Sequence, residues 1–454
     1  MMDKCMDPAS TATEEVASLV EELLREHGDQ IAALWWACDG EPFALGPSYP
    51  VDEQRRRERL LVRFQDEILA ELERPPMSVA EQRALERRVY GELASFARAA
   101  LDLEDRHLKI LLDTGFTDVA VQFARAARAF DPEITGAEMF QAGRNVFAMN
   151  GLQLLMGRPI ALTPAILAYS LLYPYTDNLL DDPTVSPEAK AAFNRRFGLR
   201  LLGQSAAEAW GPAPDPREGK IDALVAMIEG QYPPEQFPQV WASLRAIHHA
   251  QVRSVRLLRR DTSPYEVDVL GISLEKGGTS VVADGYLVAG DLSDEQARFL
   301  YGWGAFLQLA DDLQDVVEDR EAGLATVFAQ TARRWPLDGL VYRLLRFGAH
   351  VIEGLACFDD PTVEPLKELM ATSAVRMVIV AAGQARTLLR GETRRRLQAH
   401  SPFRFWFLDR RRKKLLRRQA SILRALEAFG DVEDEGATIK GTDLAIDPLL
   451  VRER

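Results

Sequence analysis

The sequence predicts an all-α protein, a helical bundle preceded by a helical extension. Three observations carry that expectation. Apolar residues recur at i, i+3, i+4 and i+7, as in Val16, Leu19, Val20, Leu23 and Leu24. Helix-start signatures punctuate the whole chain. Two-residue alternation is scarce and no strand–helix–strand rhythm appears, so the helices must pack on one another.

The elements follow in order. A Thr11-x-x-Glu14 capping box should open the first helix. Pro75-Pro76 should stop a helix, and Ser78-x-x-Glu81 should start the next. Thr163-Pro164 places a cap before a proline at the first helical position. Ser263-Pro264-Tyr265-Glu266 and Ser293-Asp294-Glu295-Gln296 repeat the capping logic. GPAPDPREGK (211–220) reads as a surface loop, and the segment after residue 430 has little periodicity. The expected organisation is a helical extension over 1–100, a helical domain over 101–395, and a basic, aromatic helix with an aperiodic tail over 396–454.

Composition excludes several classes. Hydrophobic residues make up 47% of 454, enough for a substantial core. A net charge of -13 disfavours nucleic acid as the default partner. Cys5, Cys38 and Cys357 are too few and too scattered for a disulfide framework, which fits a cytoplasmic protein. The acidic N-terminus MMDKCMDPAS lacks the apolar core of a signal peptide, and no apolar run is long enough to span a bilayer.

Two acidic motifs stand out. In PYTDNLLDDP (174–183), Asp177 and Asp181 lie i, i+4 on one helical face, with Asp182 one step round. Like charges at that spacing repel, and a helix C-terminus disfavours anions. Pro174 should bend this helix one turn earlier. In GWGAFLQLADDLQDVVED (302–319), Asp311 and Asp315 repeat the spacing, Asp312 is adjacent, and Gln308 precedes them by about a turn. Two such clusters facing each other would form a cleft of hard oxygen ligands suited to Mg²⁺. Either one alone could be a solvated helix end.

LEKGGTSVVADGYLVAG (274–290) supplies a cationic complement. Its Gly277-Gly278 pair suggests a helix break, exposing backbone N–H groups beside Lys276, Thr279 and Ser280 for a phosphate. His248-His249 point about 100° apart on a helix and read as packing residues. FRFWFLDRRRKKLLRR (403–418) joins aromatics to a basic run and would suit anionic lipid, or pack its aromatics inward.

Together these segments, over about 160–320, resemble the class I isoprenoid synthases: trans-prenyl diphosphate synthases, squalene/phytoene synthases and class I terpene cyclases. QLADDLQD looks like the second aspartate-rich motif, and the LEKGGTS segment like the lysine-bearing stretch before it. DNLLDD looks like a first motif with D-x-x-x-D-D spacing, with Asn178 where chain-elongating relatives carry a second aspartate. No D-x-D-D motif of protonation-initiated cyclases is present.

The resemblance implies a terpenoid-synthase-like bundle with a central cavity, and three Mg²⁺ ions held by Asp177, Asp181, Asp182, Asp311, Asp312 and Asp315. It implies a prenyl diphosphate substrate contacted by Lys276, Thr279, Gln308, Arg253 and Arg256, with Tyr169, Tyr173, Trp303 and Phe306 lining the cavity, and a homodimer. The expected reaction is ionisation of an allylic diphosphate with cyclisation or elimination. A prenyltransferase is the alternative; its second diphosphate would need upstream arginines. Arg144 and Arg158 are the candidates but stand outside the elongating relatives' Gly-Lys-x-x-Arg context, which favours the one-substrate reaction. Readings from another class are an all-α Mg²⁺ hydrolase and a non-catalytic prenyl diphosphate binder.

Overall fold

The computed structural model describes residues 8–72, 78–182, 184–205, 208–209, 216–258, 263 and 266–416, and among them there is no strand. Helix α1 (Pro8–Ala37) begins before Thr11, so the expected capping box lies inside the helix rather than at its start. Helices α2 (Val51–Leu72) and α3 (Val79–Leu101) flank the Pro75-Pro76 segment, and the Ser78 hydroxyl accepts from the Glu81 N–H at 3.3 Å. Then come α4 (Asp105–Asp113), α5 (Phe116–Phe130) and α6 (Gly136–Leu155), the last opened by a Thr135/Glu138 capping box.

Helix α7 (Pro164–Asp181) is capped by Thr163, and runs unbroken through Pro174 to the first acidic motif. Helices α8 (Pro187–Leu201) and α9 (Pro216–Gln231) follow. Of the loop expected over 211–220, residues 211–215 lie outside the described residues and Pro216–Lys220 is helical; Pro216 sits at a helix start, where its missing N–H costs nothing. Next are α10 (Pro238–Ser254), α11 (Val269–Ala289) and α12 (Asp294–Gln314). Ser263 does not cap a helix. Its carbonyl accepts from Glu266 and Val267, making a turn, and Asp268 caps α11 by accepting from Gly271 N–H at 2.9 Å. The Ser293/Gln296 box opens α12 as expected. Helices α13 (Val316–Ala322), α14 (Val327–Thr331), α15 (Asp338–Glu353), α16 (Glu364–Gln384), α17 (Gly391–Ala399) and α18 (Phe405–Leu416) complete the described chain.

Helix α11 sits at the centre, packed on α1, α6, α7, α10 and α12; α12 in turn packs on α15 and α16. Most of α11 is buried, including Asp284. From the first hundred residues, Val20, Leu24, Ile31 and Trp35 of α1 enter the main core, while α2 and α3 join separate small clusters with α4 and α18.

The expected break at Gly277-Gly278 is absent, because α11 is continuous there. The two glycines permit helix contact. A Cβ on Gly277 would lie 2.6 Å from Gln308 Cβ and 2.9 Å from the Gly304 carbonyl carbon; one on Gly304 would lie 2.7 Å from the Gly277 carbonyl carbon. A Cβ on Gly278 would meet the Tyr301 ring at 2.6 Å. Backbone therefore crosses backbone, and this crossing holds α11 against α12 where Lys276 acts through its charge on Asp311 and Asp312.

Candidate functional site

Helix α12 carries Asp311 and Asp312 on its last turn. Asp315 stands at the junction with α13, and the backbone bonds Asp315 N–H to Asp311 O (2.9 Å) and Asp319 N–H to Asp315 O (2.8 Å) carry the helical path through. Asp311, Asp315 and Asp319 thus form a row at i, i+4, i+8. Asp312 is 6% exposed; its Oδ1 accepts from Gln308 Nε2 at 2.8 Å, while its buried Oδ2 has no hydrogen-bond partner. Burial pushes the Asp312 carboxyl up to about 6; Gln308 and Ser273 ease it only in part, and Asp311 adds repulsion. Burial likewise pushes Asp319 up to about 7, reinforced by Asp312, Asp315 and Asp311. Asp311 keeps an exposed edge; desolvation of its inner side and then Asp315 raise it, opposed by Arg144 and Lys276. The row is a store of unrelieved negative charge with two cations close by.

Around the first motif, the Asp177 and Asp181 side chains lie outside the described set. Asp182 ends α7: Oδ1 accepts from Thr184 N–H at 2.8 Å and Thr184 Oγ1 at 2.6 Å, and Oδ2 pairs with Arg217 at 3.4 Å. The Thr184 bonds in particular hold its carboxyl below the usual range. Asn178 donates to Glu138 Oε1 at 2.9 Å. Just before, Tyr175 and Lys220 (2.6 Å) both donate to the buried Asp131.

Helix α6 relates the two motifs. Its Glu138 holds Asn178 of α7, and its Arg144 acts on Asp311 of α12. Six residues separate them, roughly 9 Å along the axis by the helical rise. Helix α6 thus touches the first motif through Glu138 and acts on the second through the charge of Arg144. Deeper in, Asn145 donates to Asp284 Oδ1 of α11 (3.2 Å) and to Ser170 Oγ of α7 (3.3 Å), tying the three helices together. Burial raises Asp284 to about 8.

The other expected site residues are placed as follows. Lys276 makes no hydrogen bond or ion pair with a described residue and acts on Asp311 and Asp312 through its charge. The Thr279 hydroxyl is buried and donates to the Glu275 carbonyl at 2.7 Å, so its proton is committed to its own helix. Arg253 pairs with Glu275, and Arg256 is exposed in the turn after α10.

Tyr169 is half-buried and Tyr173 is 38% exposed on α7. Trp303 and Phe306 pack among other aromatic rings of α12 and against α15. Phe306 is fully buried, and a Cβ on Gly348 of α15 would meet its ring at 2.5 Å. Trp303 stacks between Phe299 and Phe306, with centroids 6.5 and 5.4 Å apart. Phe306 lies about 160° round α12 from Gly304, and Trp303 about 100°, so neither shares the face that meets α11. His248 packs edge-on against Phe197 and contacts the Asn194 carbonyl at 3.0 Å, which fits a packing role.

Asp319, Glu138 and Asp284 are functional candidates that the sequence does not single out. The i+4 continuation past Asp315 is a legible signal for Asp319; the other two depend on which helices become neighbours.

Among the described residues, no group of three or more His, Cys, Asp or Glu side chains is gathered closely enough to hold a metal ion. The α12–α13 row by itself does not form such a group. The chain matches no protein-family model, no curated protein and no solved structure.

Proposed function

We propose that the protein is a Mg²⁺-dependent class I terpene synthase acting on an allylic prenyl diphosphate. The observation that carries this reading is the crowded carboxylate row Asp311, Asp312, Asp315 and Asp319, with Arg144 and Lys276 acting on it and α6 joining Arg144 to Asn178 of DNLLDD through Glu138. The orphaned Asp312 Oδ2 and the raised carboxyls are what a site for a divalent cation leaves when only its protein half is considered. Asp311, Asp312 and Asp315 would hold Mg²⁺ with Asp177, Asp181 and Asp182 from α7. When bound, Mg²⁺ would supply a Lewis acid that neutralises the diphosphate leaving group.

The chain's own groups have distinct tasks. Lys276 and Arg144 add fixed positive charge where the diphosphate departs with the electron pair of the broken C–O bond. Gln308 orients Asp312 by donating to Oδ1. Tyr169 and Tyr173, two turns and one turn before Asp177, would shield and stabilise the allylic cation that remains. A cyclisation or elimination then ends by proton loss to the released diphosphate or to water.

The alternative is a prenyltransferase. It gains from Arg144, an upstream arginine brought to Asp311, as a second diphosphate would need. One assay tests and separates these readings. The protein is incubated with Mg²⁺ and allylic diphosphates of increasing length, with and without isopentenyl diphosphate, and hydrocarbon and released pyrophosphate are measured. Turnover without isopentenyl diphosphate supports the synthase; strict dependence on it supports the transferase; no consumption in any combination refutes both. Asp311→Asn should lower turnover at least about a hundredfold with folding intact.

A further inference from the structure

On a different part of the molecule, α2 and α18 enclose a groove of about 1180 Å³. Of its thirteen lining residues, eight are arginine or lysine and two, Glu58 and Asp409, are acidic. This stands on a chain of net charge -13. Six of the eight cations pair with acids at or beside the groove: Arg55 with Asp52, Arg63 with Glu67, Arg404 with Glu58, Arg411 and Lys414 with Asp66, and Lys413 with Asp409. The positive charge left for a ligand is that of the remaining two, screened beyond roughly 8–10 Å at physiological salt.

Two of those cations, Arg59 and Arg410, are exposed and make no hydrogen bond or ion pair with a described residue. A third, Arg411, is 9% exposed; its buried Nη2 has no hydrogen-bond acceptor, with Asp66 at 3.7 Å. Trp406 at the groove is 47% exposed, with Arg404 4.9 Å over its ring, and Val62 and Phe407 add apolar lining. Cations interleaved with a solvent-facing indole are what an interfacial surface presents: charge for the headgroup phosphates and an aromatic ring for the acyl boundary. No helix among the described residues is long and apolar enough to cross a membrane, so the contact would be peripheral.

We propose that the α2–α18 groove is a docking site for the phosphate-bearing headgroups of anionic lipid, holding the protein at a membrane surface. This is independent of the catalytic reading and would stand if that reading failed. The full-length chain is mixed with phosphatidylcholine vesicles, with or without phosphatidylserine, and sedimented. Binding to the anionic vesicles only, weakened by salt, is expected. The Arg59→Ala, Arg410→Ala double variant breaks no ion pair among described residues and should lose about 25-fold in partitioning, about fivefold per charge; far-UV circular dichroism checks its fold. Equal binding to neutral vesicles, no binding, or an unaffected double variant overturns the proposal. Displacement by stoichiometric inorganic diphosphate would reassign the groove to a free anion, and tighter binding to a short DNA duplex would reassign it to nucleic acid; either result overturns the lipid assignment.

Discussion

Replacing Gly277 by alanine should destabilise the protein, although helix propensity alone says the reverse. Gly277 lies inside α11, where alanine is favoured over glycine by about 1 kcal/mol. The added Cβ, however, would sit 2.6 Å from Gln308 Cβ and 2.9 Å from the Gly304 carbonyl carbon. Ordinary carbon contacts are about 3.5–4.0 Å, so α11 and α12 must separate by about 1 Å. The obstacle is backbone, which cannot swing aside as a side chain can. The overpacking cost therefore belongs at the upper end of the usual range, about 3 kcal/mol, for a net loss of about 2 kcal/mol.

Urea unfolding followed by far-UV circular dichroism measures this as a lower midpoint with an unchanged slope. Gly304→Ala should behave alike. The double variant should cost less than the sum, because the first substitution already opens the crossing. Gly91→Ala is the control: it is exposed on α3 with nothing within 4 Å of an added Cβ, and should gain up to about 1 kcal/mol. A Gly277→Ala protein as stable as the parent, or more so, would refute the close crossing of α11 and α12.

Two further perturbations follow from charge and burial. Asp312 is raised to about 6, above its unfolded value, so the folded state holds the extra proton; this contribution to stability is fully present below about pH 4 and is lost as pH rises through about 6. Asp312→Asn should flatten the urea midpoint across that window and raise it above about pH 6 in metal-free buffer, and an unchanged pH profile would show that Asp312 is not desolvated. Arg57→Ala should cost about 2 kcal/mol, because it removes the donor to the Ala100 carbonyl and the bonds at 2.7–2.9 Å to Asp102 and Glu53, although Asp102 keeps Tyr49 and Glu53 keeps Arg56; a shift below about 0.5 kcal/mol in thermal or urea unfolding would count against that network.

Much of the local structure was legible. The Thr163-Pro164, Ser78 and Ser293 starts stand where capping chemistry put them, because a cap is decided by a few adjacent residues. Ser263 failed for a reason equally local: Asp268 offers a carboxylate five residues later, and the apolar run begins behind it. Gly277-Gly278 could not be read correctly from sequence. A glycine pair serves a break and a close helix crossing equally well, and the choice rests on Gly304, which is far away along the chain.

Helical character, the acidic row through Asp311, Asp312 and Asp315, and the basic helix after residue 403 follow from periodicity, capping and composition, which act over a few residues. The central position of α11, the charges of Arg144 and Lys276 acting on Asp311, the bond from Asn178 to Glu138, and the groove that α2 completes with α18 arise only on folding. Those are matters of which helices become neighbours, and that is settled by burying many apolar faces at once, a global balance that no single stretch of sequence contains.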